Sequence, residues 1–182
     1  GASTYTGGTT VSSGVIKLGR STTGSVTNGP LGTGPVTVAS GAAIDLNGQT
    51  LANSLTLSGT GVSSNGAFFN STGTASTVSG NIALAADTTI AGGSGGLTIS
   101  GAVDGAFGLT VNSTNANYTQ SGVVGGSTSL AGYTVNTGTG LVGFDGEVHV
   151  NGAMLVSGSG GVNVNSAIDV SGNLTFNAVQ SG

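Results

Sequence analysis

The chain has 182 residues, none of them cysteine, and very few that carry charge. Without cysteine, disulfide cross-links, thiolate zinc sites and cysteine catalysis are excluded. Lys17 and Arg20 are the two strongly basic residues, against six acidic ones, and the net charge is −4. Two cations cannot neutralise a run of phosphates, so we expect no nucleic acid partner.

Long apolar runs are also absent from the sequence. No run approaches the roughly 18 apolar residues that span a bilayer, so we expect no membrane insertion of this segment. No stretch of about 11 residues without glycine or proline carries apolar residues at helical spacing. The sequence therefore predicts no amphipathic helix.

The sequence is instead rich in glycine, with 37 residues, and in short runs where apolar and polar residues alternate. Alternation predicts strands with one buried face and one solvent-facing face. Valine and isoleucine, which favour strands, are frequent in these runs, a pattern that disordered chains lack. The runs lie at 36–38, 43–46, 55–57, 81–84, 97–99, 109–111, 147–150, 162–164, 168–170 and 174–176.

One five-residue segment recurs imperfectly in the sequence: Leu55-Thr-Leu-Ser-Gly59 is repeated as Leu97-Thr-Ile-Ser-Gly101. Imperfect internal repetition is typical of a solenoid. We predict one all-β unit over residues 1–182, a right-handed parallel β-helix (β-solenoid) of about nine coils of roughly 20 residues. A β-sandwich is the alternative, because Asn-Gly pairs such as Asn47-Gly48 also suit hairpins. The low aromatic content of 4% favours the narrow solenoid interior.

The two ends of the chain bear on its assembly. A β-helix exposes unpaired backbone at each end, and natural ones are capped. Neither residues 1–3 nor residues 179–182 resemble a polar or helical cap. We therefore expect a segment of a longer chain, or a unit that stacks into a fibre.

The first 51 residues carry a family resemblance. The stretch from Ser3 to Gly19, with its core Tyr5-Thr-Gly-Gly-Thr-Thr-Val11, resembles the passenger-associated transport repeat of type V autotransporters. The stretch from Leu31 to Leu51 is similar to the segment that commonly follows that repeat. Residues 52–182, the further coils, resemble autotransporter and filamentous-haemagglutinin-type passengers in composition only.

This resemblance implies a right-handed parallel β-helix that is secreted and lies outside the cell or on the bacterial surface. It also implies a role in adhesion or in a biofilm matrix. We expect a non-enzymatic structural or adhesive segment that associates with itself, end to end or laterally. Glycans and the surfaces of host or neighbouring cells are further expected partners.

Most charges in the predicted strands occupy outward positions, such as Lys17, Asp45 and Asp169, and predict a solvated face. One cluster is a candidate site. Its members Asp145, Glu147 and His149 occupy every second position along the chain, and Asp169 could lie one coil away. A polysaccharide-acting β-helix enzyme, the alternative function, would need two carboxyls roughly 5–10 Å apart. A second candidate pair, also of acidic residues that could stack, is Asp87 and Asp104.

No arginine or lysine lies near the acid cluster in sequence to bind an acidic sugar, and tryptophan is absent. We therefore predict no catalytic residues. The cluster could hold Ca²⁺ only loosely, and no Gly-Lys-Ser/Thr phosphate loop is present, so we predict no metal and no cofactor.

Ice binding is the other alternative function, since a flat row of outward threonines could match a water lattice. Mid-strand threonines recur at irregular spacing, which argues against such a row. They are Thr56, Thr98, Thr110 and Thr175.

Overall fold

The computed structural model describes residues 3–22 and 26–178, and shows a β-solenoid of about seven turns. Every ladder between its strands is parallel. Within the described ranges, the one antiparallel contact is an isolated bridge between Ser3 and Gly29, and the one helical element is the short 3-10 turn Val62–Ser64. The predicted parallel solenoid is confirmed over the sandwich. The predicted ends at Gly1–Ala2 and Val179–Gly182 lie outside the described residues.

Successive strands visit three faces in turn, so that each face is a stack of parallel strands. We number the strands in chain order. The first face holds β1 Thr9–Val11, β3 Val36–Val38, β6 Leu55–Gly59, the start of β9 Ile82–Gly93, β11 Val103–Asp104, β16 Val148–Val150 and β19 Ile168–Val170. The second face holds β2 Gly14–Lys17, β4 Ala42–Asp45, β7 Phe68–Phe69, the end of β9, β12 Gly108–Ser113, β14 Gly132–Asn136, β17 Met154–Gly158 and β20 Leu174–Ala178.

The third face is a separate six-stranded stack. It holds β5 Thr50–Leu51, β8 Ser76–Val78, β10 Leu97–Ile99, β13 Tyr118–Gln120, β15 Val142–Phe144 and β18 Val162–Val164. Its strands are two or three residues long, so the chain bends soon after each of them. Because short strands alternate with bends, the solenoid has a narrow cross-section around one continuous apolar core.

The number of turns is lower than the nine that the sequence predicts. On the first face, the register between neighbouring strands leads from Thr9 to Ile168 in seven steps. The steps from Thr9 to Val36 and from Leu55 to Ile82 are the longest of them, and the step from Val36 to Leu55 is the shortest. Loops between the faces lengthen the long turns, so the uniform short period taken from the sequence overestimates the number of turns.

The core follows the alternation of the sequence. Inward residues of consecutive turns stack in register, as Val36, Leu55 and Ile82 do on the first face, each at most 3% exposed. Larger side chains, for example Phe68 and Phe144, are also fully buried in this core. The stacked apolar columns and the parallel backbone ladders together hold the chain, which has no cross-link.

Two kinds of corner let the chain change face. Between β4 and β5, Asn47 and Gly48 both adopt positive φ, at 50° and 73°, which asparagine and glycine tolerate best. This Asn-Gly pair therefore turns a solenoid corner and not a hairpin. Between the third and first faces, small residues stack closely, since a methyl group on Gly101 would overlap the carbonyl oxygen of Gly80.

The two ends of the stack differ. At the first turn, residues 3–9 lie along residues 29–35, and the inward Val11 and Leu18 are 4% and 1% exposed. At the last turn, the inward Leu174 and Phe176 are each 43% exposed. Among the described residues, these inward side chains are therefore buried in the first turn and partly exposed in the last.

Candidate functional site

The predicted acid cluster is centred on His149, which faces outward from β16. The Nε2 atom of His149 lies 3.6 Å from a carboxylate oxygen of Glu147, and its Nδ1 atom lies 3.8 Å from a carboxylate oxygen of Asp169. Register places His149 directly beside Asp169 of the next turn, as the sequence predicted. The side chains of Glu147 and Asp169 are 60% and 81% exposed, so both carboxylates are in contact with solvent.

Asp145 does not join this cluster. It follows the third-face strand β15, and the chain turns at Gly146 before β16 begins on the first face. Its carboxylate instead accepts a hydrogen bond of 2.7 Å from Asn165 of the next turn. Alternation along a strand places residues on one face only while the strand continues, and here a corner interrupts it.

Asp87 and Asp104 do not stack on each other, because register places Asp104 beside Ala83. Each carboxylate instead accepts hydrogen bonds from backbone amides of the following turn. Asp87 accepts one from Gly108, at 2.8 Å. Asp104 accepts two, from Ser127 and Thr128, at 2.8 and 3.1 Å. Both residues therefore hold loops of neighbouring turns in place.

Asp45 corrects the prediction of a solvated face. It points outward from β4 but is only 3% exposed, because side chains of the turns on either side cover it. The Lys17 ammonium lies 3.4 Å from its carboxylate, and the Ser71 hydroxyl donates a hydrogen bond of 2.7 Å. Burial by itself would raise the pKa of Asp45, but the hydrogen bonds from Ser71, the Asn47 amide and Lys17 outweigh burial and lower it.

A shallow groove of about 290 Å³ lies where β9 continues from the first face to the second. Threonine side chains and the exposed Asp87 carboxylate contribute to its lining. The lining residues are Thr60, Asp87, Thr88, Thr89, Gly108 and Thr110. The lining residues include no cationic side chain for an anionic ligand.

The outer surfaces of the faces carry rows of polar side chains. On the third face, Thr50, Thr77, Thr98 and Thr119 occupy one row in consecutive turns without a gap. The strand repeat spaces the members of such a row by about 4.8 Å. Ser79, Ser100 and Ser121 follow two residues after three of these threonines and extend the hydroxyl surface.

This row differs from the threonine set taken from the sequence. Of that set, Thr98 lies on the third face, Thr56 on the first, and Thr110 and Thr175 on the second. On the second face, Leu155 interrupts the row between Thr134 and Thr175. Irregular spacing in the sequence therefore reflected three faces and unequal turns, and it did not exclude a regular row.

The second face also carries a row of polar side chains joined by hydrogen bonds. The side chain of Asn136 donates a hydrogen bond of 3.0 Å to Asn112, and Ser157 donates one of 2.5 Å to Asn136. These side chains connect three consecutive turns on the outside of the sheet. They use part of their hydrogen-bonding capacity among themselves and leave the rest for solvent or a ligand.

Sequence reasoning missed a chain of hydrogen bonds inside the core. The hydroxyl of Tyr118 donates to the side-chain oxygen of Gln120, at 2.6 Å, and lies 2.7 Å from the hydroxyl of Tyr133. The Gln120 amide donates to the Gly122 carbonyl, at 2.8 Å. Burial raises the pKa of both tyrosines well above the usual value of 10. Tyr118 and Gln120 lie two residues apart, and alternation along a strand places both side chains on the inner side. That spacing was the signal in the sequence.

The described residues show neither a metal site nor a membrane-spanning helix. Residues 3–22 and 26–178 contain no group of three or more histidine, cysteine or acidic side chains that could hold a metal ion. In the same ranges, no helix has the length and hydropathy to cross a membrane. Comparison with protein families, curated proteins and solved structures finds no match to this chain.

Proposed function

We propose that this chain is a structural and adhesive segment of an extracellular β-solenoid on a bacterial surface. The observation that supports it best is the outer surface, where in-register rows of hydroxyl and amide groups lie over a continuous apolar core. A stiff stack of this kind holds many weak polar contacts at fixed spacing. The autotransporter-like residues from Tyr5 to Val11 support the extracellular location.

The exposure of the acid cluster supports a non-enzymatic role. A glycosidase acid has to stay protonated near neutral pH, usually through burial in an apolar pocket. Glu147 and Asp169 both lie on solvent-exposed positions around His149 and lack such a pocket. We propose that these three side chains form a polar surface cluster between two turns.

Adhesion is tested by measuring retention of the purified chain on insoluble cellulose, insoluble chitin and intact bacterial cells. We expect retention on at least one of these surfaces that changes less than twofold between low and high salt, because uncharged groups are not screened. Detection of the protein on unbroken cells of the producing bacterium tests the location. Absence of retention on every surface would contradict adhesion.

The same samples test the enzyme alternative through released reducing sugars. We expect no release, and identical retention for Glu147→Gln and the parent chain. Release of sugars that Glu147→Gln abolishes would overturn the non-enzymatic proposal and support a polysaccharide-acting enzyme.

Ice binding is a second candidate, favoured by one observation, the uninterrupted threonine row on the third face. Hydroxyls at a regular strand spacing on a short-stranded face can order water into a repeating array. Inhibition of ice recrystallisation by the chain would support this function. We would expect Thr98→Lys to abolish it and the second-face control Thr110→Lys to retain it, whereas inactivity of the parent chain would exclude it.

A further inference from the structure

Four asparagines of this chain are followed directly by glycine, at 28–29, 47–48, 65–66 and 151–152. In such a pair the glycine nitrogen can attack the Cγ atom of the asparagine side chain, because glycine has no side chain that hinders the approach. The attack needs a glycine amide that is not held in a hydrogen bond and an asparagine side chain that can rotate. The surroundings of the four glycine amides therefore determine which pair can react.

Three of the four glycine amides are held by hydrogen bonds, of 3.1, 3.0 and 2.8 Å. Their acceptors are the Ser3 carbonyl for Gly29, the Asn70 side-chain oxygen for Gly48 and the Thr60 carbonyl for Gly66. The Asn47 side chain is held as well, since its amide donates to the Leu18 carbonyl at 2.8 Å. In the Asp-Gly pairs, the amides of Gly105 and Gly146 also donate to carbonyls of neighbouring turns.

Asn151 and Gly152, which form the corner between β16 and β17, differ from all of these pairs. Asn151 is exposed and Gly152 is half-buried. Among residues 3–22 and 26–178, neither the Asn151 side chain nor the Gly152 amide has a hydrogen-bond partner. Both reacting groups of this pair are therefore free of protein hydrogen bonds and in contact with solvent.

We propose that Asn151 is a site of spontaneous covalent modification, at which the side-chain amide is lost and isoaspartate is formed. The Gly152 nitrogen forms a bond to the Asn151 Cγ atom, and the bond from Cγ to the side-chain nitrogen breaks. The proton of the Gly152 amide leaves with that nitrogen as ammonia, and a cyclic succinimide remains. Water then opens the ring at either carbonyl, which gives aspartate or isoaspartate. Water is the co-reactant, and no oxidant or reductant is needed.

The position of this corner gives the modification a structural consequence. Neighbouring turns stack closely here, since a methyl group on Gly152 would overlap the carbonyl oxygen of Ala131 in the turn before. The Gly152 carbonyl accepts a hydrogen bond of 3.1 Å from the Gly172 amide in the turn after. Isoaspartate adds a carbon atom to the main chain between Asn151 and Gly152, so the corner cannot keep both contacts in register. We expect the pairing of β17 with β20 to weaken.

The modification is independent of adhesion, because it needs only water and groups of the chain itself. Incubation of the purified chain at mildly alkaline pH, followed by peptide mapping with mass spectrometry, measures the loss of the side-chain amide at each asparagine. We expect Asn151 to react at least about fivefold faster than the other three, because a hydrogen bond that has to break first slows attack by roughly that factor.

Asn65 is the matched control, since it is also exposed but is followed by the held amide of Gly66. In urea, where the hydrogen bonds are lost, the four Asn-Gly pairs should react at similar rates. Reaction of Asn65 in the folded chain as fast as that of Asn151 would overturn the proposal. So would an Asn151 that reacts in urea and stays intact in the folded chain.

The structural consequence has a separate readout in hydrogen exchange of the incubated chain. The amides of β17, β20 and Gly172 should lose protection as Asn151 is modified. Asn151→Gln should keep that protection, because the longer side chain forms the corresponding ring far more slowly, and circular dichroism establishes that this variant retains its strands. An equal decline of protection in the parent chain and in Asn151→Gln would overturn the assigned consequence. The comparison of rates in the parent chain needs no substitution.

Discussion

The hydroxyl groups of Tyr118 and Tyr133 lie 2.7 Å apart in the interior of the solenoid, where both side chains are at most 1% exposed. Because Tyr118 donates its proton to Gln120, the proton between the two tyrosines comes from Tyr133. The direction of this chain of hydrogen bonds makes the two tyrosines unequal. Tyr118 both donates and accepts, and Tyr133 only donates.

The two hydroxyl deletions should therefore differ in cost. Tyr133→Phe removes the last donor and leaves every remaining donor with a partner, and we expect a loss of about 1 kcal/mol in the free energy of unfolding. Tyr118→Phe leaves the Tyr133 hydroxyl and the Gln120 oxygen without partners, at a cost of about 2–3 kcal/mol. Urea unfolding of both variants measures the difference. Equal costs would contradict the assigned direction.

Alkaline pH should destabilise the chain through the same two tyrosines. Burial raises the pKa of both tyrosines in the folded chain above the ordinary value of 10. Below about pH 10 both tyrosines are neutral in the folded and in the unfolded chain, so the full stability is present there. Above about pH 10 the unfolded chain loses these protons while the folded chain keeps them, and stability falls by about 1.4 kcal/mol per pH unit for each tyrosine. Urea midpoints from pH 8 to 11 measure this slope. Tyr133→Phe should reduce it, and an unchanged slope would contradict the assignment.

Acidic pH should destabilise the chain through Asp45, whose side chain connects three consecutive turns. It lies on β4 and contacts Lys17 of the turn before and Ser71 of the turn after. Its folded pKa is lowered, so its contribution is present above about pH 4 and is lost as pH falls further. We expect Asp45→Asn to lose about 1–2 kcal/mol at pH 7 and to approach the parent chain near pH 2. Asp169→Asn, at a side chain that is 81% exposed, is the control and should change stability little. Urea unfolding at several pH values measures the free energy of unfolding of both chains. If that free energy changed with pH in parallel for Asp45→Asn and the parent, the prediction would be contradicted.

The glycine corner between the third and first faces gives a steric test. A methyl group on Gly101 would overlap the carbonyl of Gly80 in the turn before it, while one on Gly73 would meet no atom within 4 Å. We expect Gly101→Ala to destabilise by about 1–3 kcal/mol, because the two turns have to move apart. Gly73→Ala should be neutral or stabilise by about 0.5 kcal/mol. Thermal unfolding compares them, and equal midpoints would argue against close stacking at this corner.

Much of the candidate surface could not be located from the sequence, because it depends on which residues become neighbours between turns. The turns differ in length, as the short step from Val36 to Leu55 and the long step from Leu55 to Ile82 show. The row from Thr50 to Thr119 accordingly has one step of 27 residues and two of 21, and its threonines are interspersed in the sequence with those of the other faces. Asp145 was placed with His149 because they alternate along the chain, but a corner separates them. Asp45 was expected in solvent, and the turns on either side cover it.

By itself, the sequence determined the all-β class, the parallel solenoid and the inward or outward direction of most strand residues. Those properties are local, since alternation, glycine content and strand propensity act within a few residues. Only the tertiary structure decided the number of turns, the division into three faces and the buried tyrosine pair. These depend on loop lengths and on contacts between residues a full turn apart in the chain, which no local pattern specifies.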